Sequence, residues 1–472
     1  MAVSNQWQGE RICVIGAARQ GLALARFFLE RGADVILNDR SDSAAMQPVI
    51  DQMTAWQLAR QPQGTLSWHL GSHPLELLEN LDMLCVSGGV PLNLPLIEEA
   101  IRRHIPLTND SELFMQFVQG QVIGISGSAG KTTTTALMGK IVSDALENTN
   151  RKVWVGGNIG MPLIEQVEDI RPEDVVVLEL SSFQLELMKT VPSVAAILNI
   201  TPNHLDRHGS MEAYTAAKAN LFRWQKADDW AIINHEDMGA NALRTIIPGR
   251  WASFGFRRSP GVHPQVYQSS DQLLLSNGIQ ETEILNINEI LLRGRHNIQN
   301  VMAALLLAYC SQISLDRIHD SIASFTGVPH RLEFVREHKG VQWYNDSIAT
   351  TPERSMAAIR SFSEPLVLLL GGRDKDLPWE HLANLVHRRV HDVILFGEAA
   401  HLIEPILRRA HSATSLVKIH TCPALQEAVA CAASVAQAGD VVLLSPGGTS
   451  FDEFKDFAER GERFKQWVQQ IS

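Results

Sequence analysis

Cysteine is scarce in this chain, basic residues fall short of acidic ones, and no long apolar run occurs. The five cysteines (Cys13, Cys85, Cys310, Cys422 and Cys431) are scattered and form no C-x-x-C pair, so neither a disulfide framework nor a zinc knuckle is expected. Lys plus Arg number 41 against 52 Asp plus Glu, a formal charge of −11. That balance excludes a nucleic-acid backbone as the main partner, since such binding rests on cationic neutralisation. No stretch approaches the roughly 18 apolar residues that span a bilayer, and the start, MAVSNQWQGERICVIG, lacks the pattern of a signal peptide. The expectation is a soluble, cytoplasmic protein.

What is present is ordinary for large folded cores: 45% hydrophobic and 20% charged residues over 472 positions. At roughly 150 residues per domain the length suggests about three domains. Strand-like segments alternate with helical ones, which predicts an α/β class built on parallel sheets. Arg11–Ile15, Gly21–Glu30 and Asp34–Leu37 read as one βαβ unit, with a further strand at Met83–Val86 and a boundary near Gly120. A second block runs from QVIGIS through strands at Val175–Glu179, Ala195–Ile200 and Trp230–Asn234 to a small antiparallel addition within Arg250–Leu292. The Gly- and Pro-bearing TGVPHR segment marks the next boundary. Beyond it, strands at Val341–Tyr344, Leu366–Leu370, Val393–Phe396 and Val441–Leu444 form a second doubly wound unit. The expected domains are 1–120, 121–327 and 328–472.

The strongest chemical signal is Gly127, Ser128, Ala129, Gly130, Lys131, Thr132 between a strand and a helix. Such a loop turns backbone N–H groups onto phosphate oxygens, the lysine adds a charge, and the threonine hydroxyl can reach Mg²⁺. ATP or GTP binding is expected. The pattern is a shortened P-loop, with Ile125 where the strict form has glycine, and its bland alternative is a Gly-rich turn with an exposed lysine. The first βαβ is weaker: Gly16 and Gly21 are present, Ala18 replaces the middle glycine, and Asp39 ends the second strand, where an acidic residue can meet a ribose. A dehydrogenase, a nucleotide-sugar site and a structural turn all remain open there. Glu179 in ELSSFQLE and His204 in NITPNHLDRH fall at or past strand ends, where an open sheet gathers ligand groups, and either both face the metal of the P-loop or Glu179 caps a helix and His204 sits in a loop. Lys218 lies on a helix, where a lysine is ordinarily a solvated residue. NDSIATTP, GGRDKD and SPGGTSFDEFKDFAERG follow three strands of the last block and point to an anion site there.

Together GSAGKTT, GGNIG, ELSSFQLE, NITPNHLDRH, GRHNIQN, TGVPHRLE, YNDSIATT, LLGGRDK and LLSPGGTSFDEFKDFAERG resemble the Mur ligases, in order and spacing, over nearly the whole chain. The resemblance implies a Rossmann-like domain for a UDP moiety, a central P-loop ATPase with a mixed sheet, and a Rossmann-like C-terminal domain that closes on an amino acid. It implies ATP and Mg²⁺, and ATP-dependent joining of D-glutamate to UDP-N-acetylmuramoyl-L-alanine by a monomer acting away from membranes and nucleic acid. By the same resemblance Gly127 to Thr133, with Asn297, Asn300, Arg331 and Asp346, would handle ATP. Thr132, Glu179, His204 and a carboxylated Lys218 would hold metal, Lys131, His204 and Lys218 forming the catalytic set. Arg19, Gln20, Asp39, Arg40, Asn158, Ser181 and Gln184 would hold the UDP substrate, and Thr350, Lys375, Ser450 and Phe457 the glutamate.

Three positions depart from the family pattern. Ile348 stands where the family carries a lysine that contacts glutamate, which leaves Arg373 as a substitute cation and L-glutamate as an alternative acceptor. Asn203 replaces an acidic residue before His204, and the family's SPG turn is Ser87, Gly88, Gly89. Outside this class, a nicotinamide oxidoreductase would use the first βαβ alone, and a nucleotide switch or transport module the P-loop alone.

Overall fold

Runs rich in Val, Ile and Leu are buried on both faces here, which is what parallel strands covered by helices require. The computed structural model describes residues 6–375, 377–410 and 417–471, and its strands form three sheets. The first contains β1 (Arg11–Ile15), β2 (Asp34–Asp39), β3 (Thr65–Leu70), β4 (Met83–Val86) and β5 (Leu107–Thr108), in the order β3-β2-β1-β4-β5. All its pairings are parallel. The expected βαβ is present, with its helix over Arg19–Glu30. Gly21 is required there, because a Cβ at that position would run into the carbonyl oxygen of Gly16.

The second sheet is built from β6 (Gln121–Ser126), β7 (Val153–Gly157), β8 (Val175–Glu179), β9 (Val194–Ile197), β10 (Trp230–Asn234), β11 (Arg250–Gly255), β12 (Gln265–Ser269), β13 (Gln272–Ser276) and β14 (Glu281–Asn286). Its order is β14-β13-β12-β11-β10-β9-β6-β8-β7. The antiparallel addition extends this same sheet: β11 and β12 still pair in parallel, and only β12–β13 and β13–β14 are antiparallel. The strand expected to end at Ile200 stops at Ile197, which leaves Asn199 to Asn203 as loop beside the phosphate-binding turn. The third sheet, from β15 (Glu333–His338), β16 (Val341–Asn345), β17 (Leu366–Gly371), β18 (Val390–Phe396), β19 (Lys418–Thr421) and β20 (Val441–Gly447), runs β15-β16-β20-β17-β18-β19, with only β15 antiparallel.

The chain divides into two compact units: Met1–Glu289 with His296–Ala323, and Ile290–Arg295 with Ser324–Ser472. Within the first, the two sheets share one apolar core. Trp7 packs edge-on against Phe27, Phe28 and Phe117, and this cluster continues into Leu163, Val167 and Ile170 beside the second sheet. Arg26 and Arg31 reach across to Glu165 and Glu168. Within the second unit, separate cores cover the two faces of the third sheet, around Leu368 and Trp379 on one side and Trp343 and Phe464 on the other. All five cysteines are free. Among the described residues no helix is long and apolar enough to cross a membrane.

Candidate active site

The Gly127–Thr132 turn follows β6 directly and opens the helix Lys131–Ala145. Gly130 caps that helix in a left-handed conformation, φ 85°, and a Cβ there would strike Asn300 Oδ1. The turn is anchored from outside. Asn199 Oδ1 accepts from the Ala129 N–H at 2.8 Å, its Nδ2 donates to the Ala129 carbonyl at 3.1 Å, and Ser128 Oγ bonds the Thr201 carbonyl and the Tyr214 hydroxyl at 2.9 Å each. Such anchoring presets the backbone amides that would receive phosphate. Lys131 Nζ donates to the Gly127 carbonyl at 2.9 Å, closing over its own loop. Asn300 Nδ2 donates to Asn297 Oδ1 at 2.9 Å, which fixes the second of the two expected adenine-site amides against the turn. Tyr214 carries no motif signal of its own, and Asn199 opens NITPNHLDRH, a motif that points to His204 rather than to its first residue. The polar run NITPN is the only hint that Asn199 would matter.

Glu179 ends β8, 1% exposed. Its Oε1 accepts from Asn158 Nδ2 at 2.9 Å, and its Oε2 is buried with no hydrogen-bond partner. A buried carboxylate oxygen left open is costly in a resting protein and suits a divalent cation. Lys218, on the helix Met211–Arg223, is also 1% exposed and donates to Gly127 O at 3.0 Å and Ser126 Oγ at 3.3 Å. Burial, helped by Lys131, pushes its pKa well below the ordinary lysine value, and Glu179 only partly offsets this. Its amine is therefore suited to the neutral, nucleophilic form. His204 begins the short helix Leu205–His208 in a left-handed conformation, φ 53°, exposed and edge-on to Phe183 at 5.1 Å. Thr132 is half-buried at the start of its helix.

The UDP-site expectations fall largely on one cavity of about 550 Å³ at the C-terminal edge of the first sheet. Arg19, Gln20, Asp39, Arg40 and Asn158 line it, with His73, Ser87 and Gly89. Asp39 already holds two backbone groups, Ala17 N–H and Ser41 N–H, at 2.9 Å each, so it shapes the turn at the rim of this cavity. Its carboxyl lies below the usual range: burial pushes it up, but those bonds outweigh the cost. Ser181 and Gln184 stand outside that lining and form a capping box, Ser181 N and Oγ both donating to Gln184 Oε1 at 2.9 Å. His73, which sequence reasoning missed, holds Asn38 Oδ1 at 2.6 Å.

In the third sheet Asp346 follows β16 and is buried, accepting from Ser445 Oγ at 2.8 Å and the Leu332 N–H at 3.2 Å. Burial pushes its carboxyl up to about 7. Arg331 is half-buried in the turn before β15. Thr350 is half-buried, Ser450 buried, and Lys375 and Phe457 exposed. Arg373, the expected stand-in for the cation absent at Ile348, is engaged with Glu398 through two bonds of 2.8 and 3.0 Å. The NDSIATT and SPGGTS loops are tied together by Arg460, buried and donating to Ser347 Oγ and O, Gly448 O and Thr449 O.

Family models match along the chain: a MurD-like N-terminal domain over residues 10–109, a Mur ligase middle domain over 125–308 and a Mur ligase glutamate ligase domain over 330–448. The UDP-N-acetylmuramoylalanine–D-glutamate ligase of Symbiobacterium thermophilum is 40% identical, covering 98% of each chain. That of Acetivibrio thermocellus is 36% identical over 98% of this chain and 97% of its own. Among solved structures, MurF ligase of Thermotoga maritima in complex with ADP has a TM-score of 0.54 at 17% identity, covering 100% of this chain and 99% of that one. MurC of the same organism gives 0.52 at 18%, over 98% and 99%. With relatives this similar over its full length, the chain belongs to the Mur ligase family.

Proposed function

We propose that the chain is an ATP-dependent ligase that joins D-glutamate to the alanyl carboxyl of UDP-N-acetylmuramoyl-L-alanine during cytoplasmic assembly of peptidoglycan precursors. It acts as a monomer of three functional domains, 1–120, 121–327 and 328–472. The names and full-length similarity of the relatives support the substrates. The observation that carries the chemistry is the meeting, on one edge of the second sheet, of an anchored P-loop, a buried carboxylate with an open oxygen and a buried amine.

Amide formation from a free carboxylate is uphill in water. In this reading an alanyl carboxylate oxygen attacks the γ-phosphorus of ATP, ADP leaves, and an acyl phosphate forms. The glutamate amine then attacks the acyl carbon and orthophosphate leaves, the amine's proton passing to solvent. The reactants are all anionic, so the protein's main work is neutralisation and alignment. Lys131 and the amides of Gly127 to Thr133 receive the phosphates, Asn297 and Asn300 the adenine, and Arg331 and Asp346 the remainder of the nucleotide. Arg19, Gln20, Asp39, Arg40, Asn158, Ser181 and Gln184 hold the UDP substrate, and Thr350, Lys375, Ser450 and Phe457 the incoming glutamate.

Mg²⁺, when bound, withdraws charge from the transferring phosphoryl group. Thr132, Glu179, His204 and Lys218 would hold it. An ammonium at position 218 would repel a cation. The neutral Lys218 amine instead adds to CO₂, forming an N–C bond and losing a proton, and the resulting carbamate supplies two anionic oxygens. Ile348 leaves no side-chain cation at the position where the resemblance places a lysine against the glutamate carboxylate, so L-glutamate remains the rival acceptor.

One assay tests donor, acceptor and stereochemistry together: phosphate release with UDP-N-acetylmuramoyl-L-alanine, ATP and both enantiomers of a panel of amino acids. Release dependent on D-glutamate is expected. Equal or better release with L-glutamate would transfer the assignment to that acceptor, and no release with any amino acid would remove the ligase reading.

A further inference from the structure

We propose that Asp110 is a positioning residue that fixes the Gln20 amide in the nucleotide cavity, so that Gln20 turns its carbonyl oxygen toward hydroxyl or N–H groups of the uridine nucleotide. The proposal rests on the reading that this cavity holds the UDP moiety.

Asp110 starts the helix Asp110–Phe117, just after the first sheet, and its side chain is buried. Gln20 lies 90 residues earlier, at the start of the helix behind β1, and lines the cavity. Gln20 Nε2 donates to Asp110 Oδ2 at 3.1 Å. An ionised carboxylate only accepts, and a glutamine amide donates only from nitrogen, so the pair can form in one orientation. The Gln20 carbonyl is thereby turned away from Asp110. It lies over Gly88, where a Cβ would come within 3.1 Å of Gln20 Oε1. The glycine in place of proline in the Ser87–Gly88–Gly89 turn thus leaves room beside the Gln20 oxygen, which a side chain there would have to displace by a few tenths of an ångström.

A second substrate-side amide is oriented from the same place. Gln184 Nε2 donates to Ser111 Oγ, next to Asp110, at 2.8 Å, while its Oε1 receives Ser181 N and Oγ. Burial pushes the Asp110 carboxyl up to about 6, and bonds from Ser111 and Gln20 hold it from rising further. Near pH 8 it is ionised and acts as an acceptor only. Its Oδ1 is buried without a hydrogen-bond partner, so rotation of the carboxyl gains no competing contact.

The test is steady-state kinetics of the full chain at pH 8, with calorimetric titration of UDP and thermal melts as companions. Asp110→Ala should raise KM for the uridine substrate about tenfold, with kcat and KM for ATP within about twofold of wild type. Asp110→Asn, whose carbonyl still accepts from Gln20, should return KM to within about threefold. Gln20→Leu should match Asp110→Ala, and the double variant should be no worse than either alone. An unchanged KM in folded Asp110→Ala, additive effects in the double variant, or a parallel loss in kcat and ATP affinity would each overturn the proposal. If Asp110→Ala does not fold, a wild-type KM in Gln20→Leu overturns it, and a tenfold rise there with a near-normal Asp110→Asn supports it. A wild-type chain that binds UDP without making amide defeats the proposed reaction alone. One that binds no UDP defeats this proposal and the cavity assignment together.

Discussion

Lys218 and Lys131 donate to the same atom, the carbonyl oxygen of Gly127, at 3.0 and 2.9 Å. Two ammonium groups sharing one acceptor repel each other, and the more buried one loses its proton more readily. That pairing gives a physical reason for Lys218, rather than Lys131, to be the residue that can react with CO₂.

Lys218→Ala is expected to lower turnover by about 10²–10³-fold, the scale for removing one preorganised charge-stabilising group. Millimolar formate or acetate should restore part of it by placing an oxygen anion in the vacated space. Phosphate release with and without the added acid measures this, and full activity in the unsupplemented variant would discard the carbamate.

Glu179→Gln keeps the shape and the bond to Asn158 but replaces the open anionic oxygen. The Mg²⁺ concentration for half-maximal rate should rise roughly tenfold to a hundredfold, with little change in melting temperature. Titration of Mg²⁺ at saturating ATP separates this from a folding defect, which would lower the melting temperature instead.

Arg460→Leu removes the side-chain donor from the buried carbonyls of Gly448 and Ser347, whereas the Thr449 carbonyl keeps the Arg373 N–H. Each such group costs about 1–3 kcal/mol, so the C-terminal unit should unfold several degrees earlier. The glutamate KM should rise with it, since Ser347 and Thr449 flank positions 350 and 450. Burial lowers the Arg460 pKa only to about 10, so it stays charged at neutral pH, and Arg460→Lys should recover only part of the stability because one ammonium cannot span all four acceptors.

Asp346 supplies a pH signature. Its folded pKa, raised to about 7 mainly by burial, exceeds the unfolded value near 3.9, so the native state holds a proton that the unfolded chain releases. Its contribution to stability is complete below about pH 4 and is lost as pH rises toward and through 7. Asp346→Asn should flatten the fall in melting temperature over that interval. An identical slope in the variant would show that the carboxyl ionises in the folded protein as it does in the unfolded one.

Much of this architecture was legible in the sequence because its determinants are local. The strands β1, β4, β8 and β10 coincide with the apolar runs that announce them, and the phosphate-binding turn is specified by glycines, lysine and threonine within a few residues. Other elements were hidden. β3, THR-LEU-SER-TRP-HIS-LEU in sequence, is at most half-buried at the sheet edge, so it carries no strong apolar signal. The helix Ser43–Arg60 contains Pro48 and buries only Met46 and Met53, which weakens its periodicity. Arg373, the expected substitute for the cation absent at Ile348, is paired with Glu398, a contact between two loops that neither segment announces.

The sequence by itself determined the class of fold, the phosphate-binding turn and the family, because hydrogen-bonded repeats and tight turns are dictated by neighbouring residues. Only the tertiary structure decided that Gln20 meets Asp110, that Asn199 locks Ala129, that Arg460 ties two loops, and that the first two sheets share one core. Those contacts join positions 11 to 113 residues apart along the chain, and which of them form is set by strand order and by how sheets pack, information that no local window contains.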